Sequence, residues 1–338
     1  MNAPDSSAPL PRMHAIEITT PGPAHVLALR QLPRPHPGTD EVLIRVEAAG
    51  LNRPDILQRL GLYNPPPGAS PIPGLEVAGT IEQVGTRVAN WQPGNPVVAL
   101  TNGGGYAQFV SVPAGQVLPL PSNASFVQGA ALPETFFTVQ QTLIDRARLK
   151  KGQTVLIHGG AGGIGITAIQ LARLKGARPI ATISSSTKAA YARKMGAQET
   201  INYLEQDFVE RARTITGGKG IDIILDIVGA DYLDRHLKCI APGGTIIQLA
   251  TLGGSRAEIS LSRLLMKNVT LFGSTLRPQP SSIKAAIARH LLRDVWPALE
   301  EGTLAYPRIR TFSLADAVAA HKALEAPDHF GKIVLAVA

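Results

Sequence analysis

Two rhythms of apolar and polar residues divide this chain. Over its first third, short stretches alternate apolar with polar side chains and are separated by glycine and proline, the pattern of half-buried strands joined by tight turns. The clearest runs E-V-L-I-R-V-E-A over 41–48; others fall at 13–19 and within 73–84, 85–98 and 106–112. Pro33, Pro35 and Pro37 read as a stiff connector, 50–63 as a loop leading into a short helix, and Pro65-Pro66-Pro67-Gly68 as an extended turn. Helical spacing begins near Ser125 and covers 126–131 and 135–148. From Lys151 the texture becomes strand–helix alternation, with strands at 154–157, 178–183, 199–202, 221–226, 244–249 and 270–272 and helices at 165–175, 187–195, 205–216, 231–239 and 260–266. Six strands with crossover helices predict a doubly wound parallel sheet. After Ser274 a long helix is expected over 282–301, a strand at 308–311, a helix at 314–325 opened by Ser313 and Asp316, and a last strand at 332–337. The expected layout is α/β: a polar tail (1–12), a barrel-like β domain (13–137), the parallel-sheet domain (138–275), and a segment (276–338) with no core of its own that returns to the first domain.

The richest stretch is V-L-I-H-G-G-A-G-G-I-G, 155–165, which leads into a helical run. Gly160, Gly162 and Gly165 stand in G-x-G-x-x-G register between a strand and a helix. Glycines let the backbone turn tightly and approach a pyrophosphate, and the free N–H groups of the helix start face the anion. The context makes this a dinucleotide site. In an NAD site the next strand ends in an acidic residue that binds the ribose 2′-hydroxyl. Here it ends in Ser184-Ser185-Ser186-Thr187-Lys188, which has hydroxyls and a cation but no carboxylate, and so predicts NADPH. Thr187 is the expected cap of the following helix.

Composition narrows the class. Hydrophobic residues make up 44% of the 338 and charged residues 17%, as in a water-soluble globular protein. No apolar run is long enough to span a bilayer, the N-terminus lacks a signal-peptide pattern, and a cytoplasmic location is expected. One cysteine, Cys239, rules out an internal disulfide and a cysteine-rich zinc lobe. The net charge of +8 is uneven: 1–150 carry 10 basic and 10 acidic residues, 151–275 carry 15 and 9, and 276–338 carry 8 and 6. An excess over the nucleotide-binding segment suits a phosphate-rich ligand. Without a dense basic run, and with 5% aromatics, it reads as a solvated basic surface rather than a nucleic-acid site.

The motifs Leu51-Asn52-Arg53, Asp55, Gln58-Arg59, Gly61, Tyr63, Pro65 to Ser70, Gly74-Leu75-Glu76, Gly103-Gly104-Gly105, Leu156-Ile157-His158, Gly162-Gly163-Ile164-Gly165, Ile201-Asn202-Tyr203 and Gly331-Lys332-Ile333 together carry a resemblance. The chain resembles the medium-chain dehydrogenase/reductase superfamily and, within it, the zinc-independent, zeta-crystallin-like quinone oxidoreductases, most of all the tumour-suppressor-inducible subgroup. The resemblance implies a GroES-like catalytic β-barrel, an inserted Rossmann domain, NADPH as cofactor and a homodimer joined through the sheet edge near 270–272. Zinc-dependent relatives place a cysteine ligand where this chain has Asn52 and a His-Glu pair where it has Leu75-Glu76. A neutral amide is a poor zinc ligand and leucine has no donor atom, so no metal is expected. Acceptors that take hydride without a Lewis acid, quinones and conjugated enones, are the implied substrates.

The resemblance also implies roles. Asn52 and Tyr63 would line the acceptor pocket, Asn52 donating an amide N–H to an oxygen gaining charge and Tyr63 donating its phenolic proton or stacking on a ring. Thr138 would lie near the nicotinamide phosphate, and Gly160, Ala161, Gly162, Gly163, Ile164 and Gly165 under the pyrophosphate. Ser184, Ser185 and Lys188 would hold the 2′-phosphate, and Tyr203 would flank the adenine. Leu249, Ala250, Thr251, Phe272, Ser274 and Lys332 would complete the cleft. The direction of Arg53 stays open. So do two other readings: an enone or enoyl-thioester reductase of the same fold, and a nucleotide- or RNA-binding protein with vestigial activity.

Overall fold

The computed structural model describes residues 11–337; residues 1–10 of the expected tail lie outside the described residues. In chain order the elements are β1 (Arg12–Ile18), β2 (Leu27–Pro33), β3 (Glu41–Leu51), α1 (Arg53–Arg59), β4 (Glu76–Val84), β5 (Pro96–Leu100), β6 (Phe109–Pro113), β7 (Val117–Pro119), α2 (Phe126–Gly129) and α3 (Pro133–Val139). There follow β8 (Thr154–Ile157), α4 (Gly163–Leu174), β9 (Arg178–Ile183), α5 (Ser186–Lys194), β10 (Glu199–Asn202), α6 (Phe208–Ile215), β11 (Ile221–Asp226), α7 (Tyr232–Cys239), β12 (Ile240–Gln248), α8 (Leu261–Met266) and β13 (Thr270–Gly273). The chain closes with α9 (Ser281–Asp294), α10 (Trp296–Glu300), β14 (Ile309–Ser313), α11 (Ala317–Glu325) and β15 (Lys332–Ala336). None of the described helices is long and apolar enough to cross a membrane.

The elements group into two compact units. The first comprises the chain up to Glu134, Pro280–Ala288 and the chain from Ile309 onward; the second comprises Thr135–Gln279 and Arg289–Arg308. In the first unit, strands run in the order β14-β15-β3-β4-β5-β7, β6 pairs with β3, and β1 and β2 form a separate ribbon. β3 is the hinge of this sheet. It pairs with β4 and β15 and, over its first half, with β6, and it is buried on both faces, so Val42, Ile44, Val46 and Leu51 enter one core with Ile333 and Leu335 of β15.

In the second unit the strand order is β10-β9-β8-β11-β12-β13 and every pairing is parallel. The order reverses beside β8, where the chain runs outward to β9 and β10, then returns to β11. Such a switch point opens a crevice at the carboxyl ends of the strands. Val155, Leu156 and Ile157 are fully buried, as a strand covered on both faces requires.

Four local expectations change. The helix expected over 282–301 is two: Pro297, in the first turn of α10, has no N–H and disfavours the helical conformation before it, and the chain breaks at Val295 (φ −120°). The helix expected over 135–148 is α3 followed by a π-helical stretch, Gln140–Arg146. The stretch before the proline connector is a strand, β2, whose mostly exposed Leu-Ala-Leu-Arg-Gln-Leu-Pro lacks clear alternation; its register comes from β1. The cap of α5 is Ser185, whose Oγ accepts the Lys188 N–H at 3.3 Å, and Thr187 lies inside the helix.

Candidate functional site

In the second unit, β8 ends at Ile157 and the chain turns through Gly159, whose φ of +69° suits glycine. The three motif glycines have different duties. At Gly160 a Cβ would stand 2.5 Å from Ala181 Cβ on β9. At Gly165 it would overlap the Gly159 carbonyl oxygen and lie 2.7 Å from Gly160 Cα. At Gly162 it would meet only Gly159 O, at 3.5 Å, an ordinary contact. Packing therefore demands the first and third glycines, whereas the second leaves open space over the start of α4. Gly162 is also the N-cap and offers no side-chain acceptor to the first-turn N–H groups, which are left to bind an anion. The cradle fits a dinucleotide pyrophosphate.

Beside it, at the end of β9, Lys188 Nζ donates to Ser184 Oγ at 3.2 Å, and Ser185 caps α5. Tyr203 follows β10, is 42% exposed, and donates its N–H to Ile183 O at 3.1 Å. Leu249, Ala250 and Thr251 follow β12; the Leu249 N–H is held by Asp226 O, and Ala250 O accepts from Gln248 Nε2. Phe272 lies in β13 under the Arg146 guanidinium, 4.1 Å from its ring centre, and Ser274 Oγ is 3.4 Å from Gln141 Oε1. These residues gather at the carboxyl ends of the six parallel strands. Thr138, on α3, belongs to the same unit and accepts the Thr142 hydroxyl on its carbonyl.

A buried chain of polar groups underlies the switch point. His158, directly after β8, has Nδ1 3.0 Å from Thr182 Oγ1 and Nε2 2.8 Å from His236 Nε2. His236 Nδ1 faces the Asp226 carboxylate at 3.8 Å, and that carboxylate accepts the Val228 and Gly229 N–H groups. Burial lowers the His158 pKa to about 3, and burial together with His158 depresses His236, so both rings are neutral near pH 7. Nothing in the sequence signals this pairing, because His236 lies 78 residues from His158.

The first unit holds a second polar cluster. Glu76 Oε1 accepts from Asn52 Nδ2 at 2.8 Å and from the Lys332 ammonium at 2.6 Å; Oε2 accepts the Glu134 N–H at 2.9 Å. Lys332 also donates to Asn52 Oδ1 at 2.7 Å and Leu51 O at 3.1 Å. Asp55 accepts from Asn52 N–H, Gly74 N–H and the Tyr106 hydroxyl. The structure thus places Lys332 with Asn52 and Glu76 in the first unit. Tyr63 lies beyond α1, half-buried, and Arg53 is exposed. This cluster does not fit zinc: Asn52 offers an amide engaged at both ends, Leu75 offers nothing, and the Glu76 carboxylate already carries an ammonium. Among the described residues no group of three or more His, Cys, Asp and Glu side chains is arranged to hold a metal.

Comparisons with known proteins define the fold and the family. A family model described as an alcohol dehydrogenase GroES-like domain matches residues 38–122, and one described as a zinc-binding dehydrogenase matches 163–291. The fold is that of the medium-chain dehydrogenase/reductases, a GroES-like domain with a six-stranded Rossmann sheet. A quinone oxidoreductase from Pseudomonas aeruginosa is 33% identical over 95% of this chain and 98% of its own length. The Escherichia coli quinone oxidoreductase, crystallised with NADPH, superposes with a TM-score of 0.84 at 30% identity, covering 96% of this chain and 100% of its own. The CurK enoyl reductase superposes at 0.83 with 28% identity, covering 96% and 99%. The chain belongs to the zeta-crystallin-like quinone oxidoreductase family of that superfamily.

Proposed function

We propose that the chain is an NADPH-dependent quinone oxidoreductase that reduces quinones or conjugated carbonyls without zinc, related most nearly to the tumour-suppressor-inducible subgroup. The observation that carries this reading is the Asn52–Glu76–Lys332 network, a fixed hydrogen-bonded set whose one carboxylate is already paired with an ammonium and which suits acceptors needing no Lewis acid. When bound, NADPH supplies the hydride. The Gly160–Gly165 turn holds the pyrophosphate with main-chain N–H groups, and Ser184, Ser185 and Lys188 bind the 2′-phosphate. Lys332 and Glu76 fix the Asn52 amide so that the second hydrogen on Nδ2 is aimed at the acceptor oxygen. Tyr63 packs against the acceptor ring or donates to it.

The test is NADPH oxidation by the purified protein, followed at the nicotinamide absorbance with ortho- and para-quinones, an enone and an enoyl-CoA, with NADH in parallel. Rapid quinone-dependent oxidation with NADPH preferred is expected. Turnover with the enone or enoyl-CoA alone would favour the second reading, an enoyl reductase, which the similarity to CurK supports. Replacing Lys188 by alanine should raise the Kd for NADPH about 10- to 100-fold, the loss of one charge-assisted contact, and leave NADH unchanged. Equal losses for both would remove Lys188 from the 2′-phosphate site.

A homodimer is part of the proposal. β13 ends the second unit's sheet, and beside it in sequence α8 exposes Leu261, Leu265 (69%) and Met266 (77%). An open strand edge with an apolar helix face calls for a partner, and a second copy would bury both. Charging that face with Leu265→Glu and Met266→Glu should convert a dimer to monomer in light scattering; an unchanged mass would place any interface elsewhere. A cytoplasmic location belongs to the same reading.

A further inference from the structure

The switch point fixes which way a dinucleotide lies over the second unit. Its pyrophosphate cradle follows β8, and Ser184, Ser185 and Lys188, proposed above to hold the 2′-phosphate, follow or end β9. The adenosine half therefore runs from β8 towards β9 and β10. The nicotinamide half runs the other way, over the carboxyl ends of β11, β12 and β13. The outer wall on that side is Phe272-Gly273-Ser274, where β13 ends, three strand spacings or about 14 Å from β8. Among the described strands β13 pairs with β12 alone, so its sheet holds that wall from one side only.

The π-helical stretch Gln140–Arg146 holds it from elsewhere in the same unit. Arg146 donates to Gly273 O at 3.0 Å and lays its guanidinium 4.1 Å from the centre of the Phe272 ring. Gln141 Oε1 lies 3.4 Å from Ser274 Oγ. These two side chains stand five positions apart. On an α-helix of 3.6 residues per turn they would point about 140° apart. A π-helix bonds residues five apart, which brings such a pair round to nearly the same face. The main chain and a second side-chain pair show the same spacing. Ala147 N–H donates to Thr142 O at 2.9 Å, and Gln140 Nε2 donates to Asp145 Oδ1 at 2.9 Å. Asp145 Oδ1 in turn lies 3.2 Å from His290 Nδ1, which ties the stretch to α9. The change of winding therefore aims Gln141 and Arg146 together at the end of β13. Single turns of this winding are rare and gather at functional sites.

We propose that Arg146 and Gln141 are positioning residues for the reduction proposed above. They act through Phe272, Gly273 and Ser274, fixing the end of β13 as the wall against which the nicotinamide ring is held for hydride transfer. The inference rests on that reading. A reacting atom misplaced by about 1 Å costs about 10²-fold in rate, so a wall held from one side only would be felt in turnover.

The test uses the full chain with NADPH and a para-quinone, beside titration with 2′,5′-ADP, which lacks the nicotinamide half. Arg146→Met keeps the stem of the side chain and removes both the bond to Gly273 O and the charge over Phe272; Gln141→Leu removes the acceptor facing Ser274. The double variant should lose about 10- to 100-fold in kcat, with the Kd for 2′,5′-ADP unchanged. Arg146→Lys, which keeps a donor and a cation, should recover part of the rate lost in Arg146→Met. A merely structural role would weaken 2′,5′-ADP and slow turnover together. Wild-type kcat in the double variant overturns the proposal, and so does a fall in kcat matched by an equal loss of 2′,5′-ADP affinity. If the double variant does not fold, the single variants decide by the same two readings. A wild type that reduces no acceptor overturns the quinone-reductase reading and this inference with it, an outcome distinct from an active enzyme whose variants turn over normally.

Discussion

Replacing Gly165 by alanine should abolish useful NADPH binding. The new Cβ would overlap the Gly159 carbonyl oxygen and press on Gly160 Cα at 2.7 Å, and both are backbone atoms that cannot rotate away. α4 must then move off the turn, at the 1–3 kcal/mol typical of overpacking, and its first-turn N–H groups lose their aim at the phosphates. Losing two charge-assisted bonds corresponds to a Kd raised about 100-fold or more. Fluorescence titration with NADPH measures this, and the melting temperature should fall as well. Gly162→Ala separates the causes: its Cβ meets only Gly159 O at 3.5 Å, so the fold should persist while affinity still drops, because the methyl occupies the ligand's approach. If Gly162→Ala binds NADPH like the wild type, the pyrophosphate does not sit over this turn.

Lys332→Met should be the most destabilising single change in the first unit. Lys332 and Glu76 are 3% and 0% exposed and 2.6 Å apart. Removing the ammonium leaves a carboxylate in the core with only neutral donors at hand, a loss of about 3–5 kcal/mol for a broken buried pair. The double variant Lys332→Met with Glu76→Gln should recover much of it, because no uncompensated charge remains. Urea unfolding of the single and double variants measures the difference. Equal losses in both would mean that the lysine acts through packing alone.

How much of this was legible beforehand differs between the units. The parallel sheet was, strand by strand, because buried strands are continuous apolar runs and crossover helices keep a helical period. The glycine turn was legible because its duties are local: Gly160 and Gly165 answer to atoms on the neighbouring strand β9 and the turn itself. Ser184 and Lys188 were found together because four residues on a helix start bring them together. β2 was missed because its side chains are mostly exposed and only pairing with β1 specifies it. The break at Val295 was masked by apolar spacing that runs through Pro297.

The amino-acid sequence by itself determined the class of fold and the glycine turn after β8, since each depends on residue type at short spacing. Tertiary structure alone decided the electrostatics. Lys332 reaches Glu76 across 256 positions, Glu134 meets the same carboxylate across 58, and His236 meets His158 across 78. A side chain's charge state is set by which groups the fold brings near it and how much water it removes, and neither quantity is written in local order along the chain.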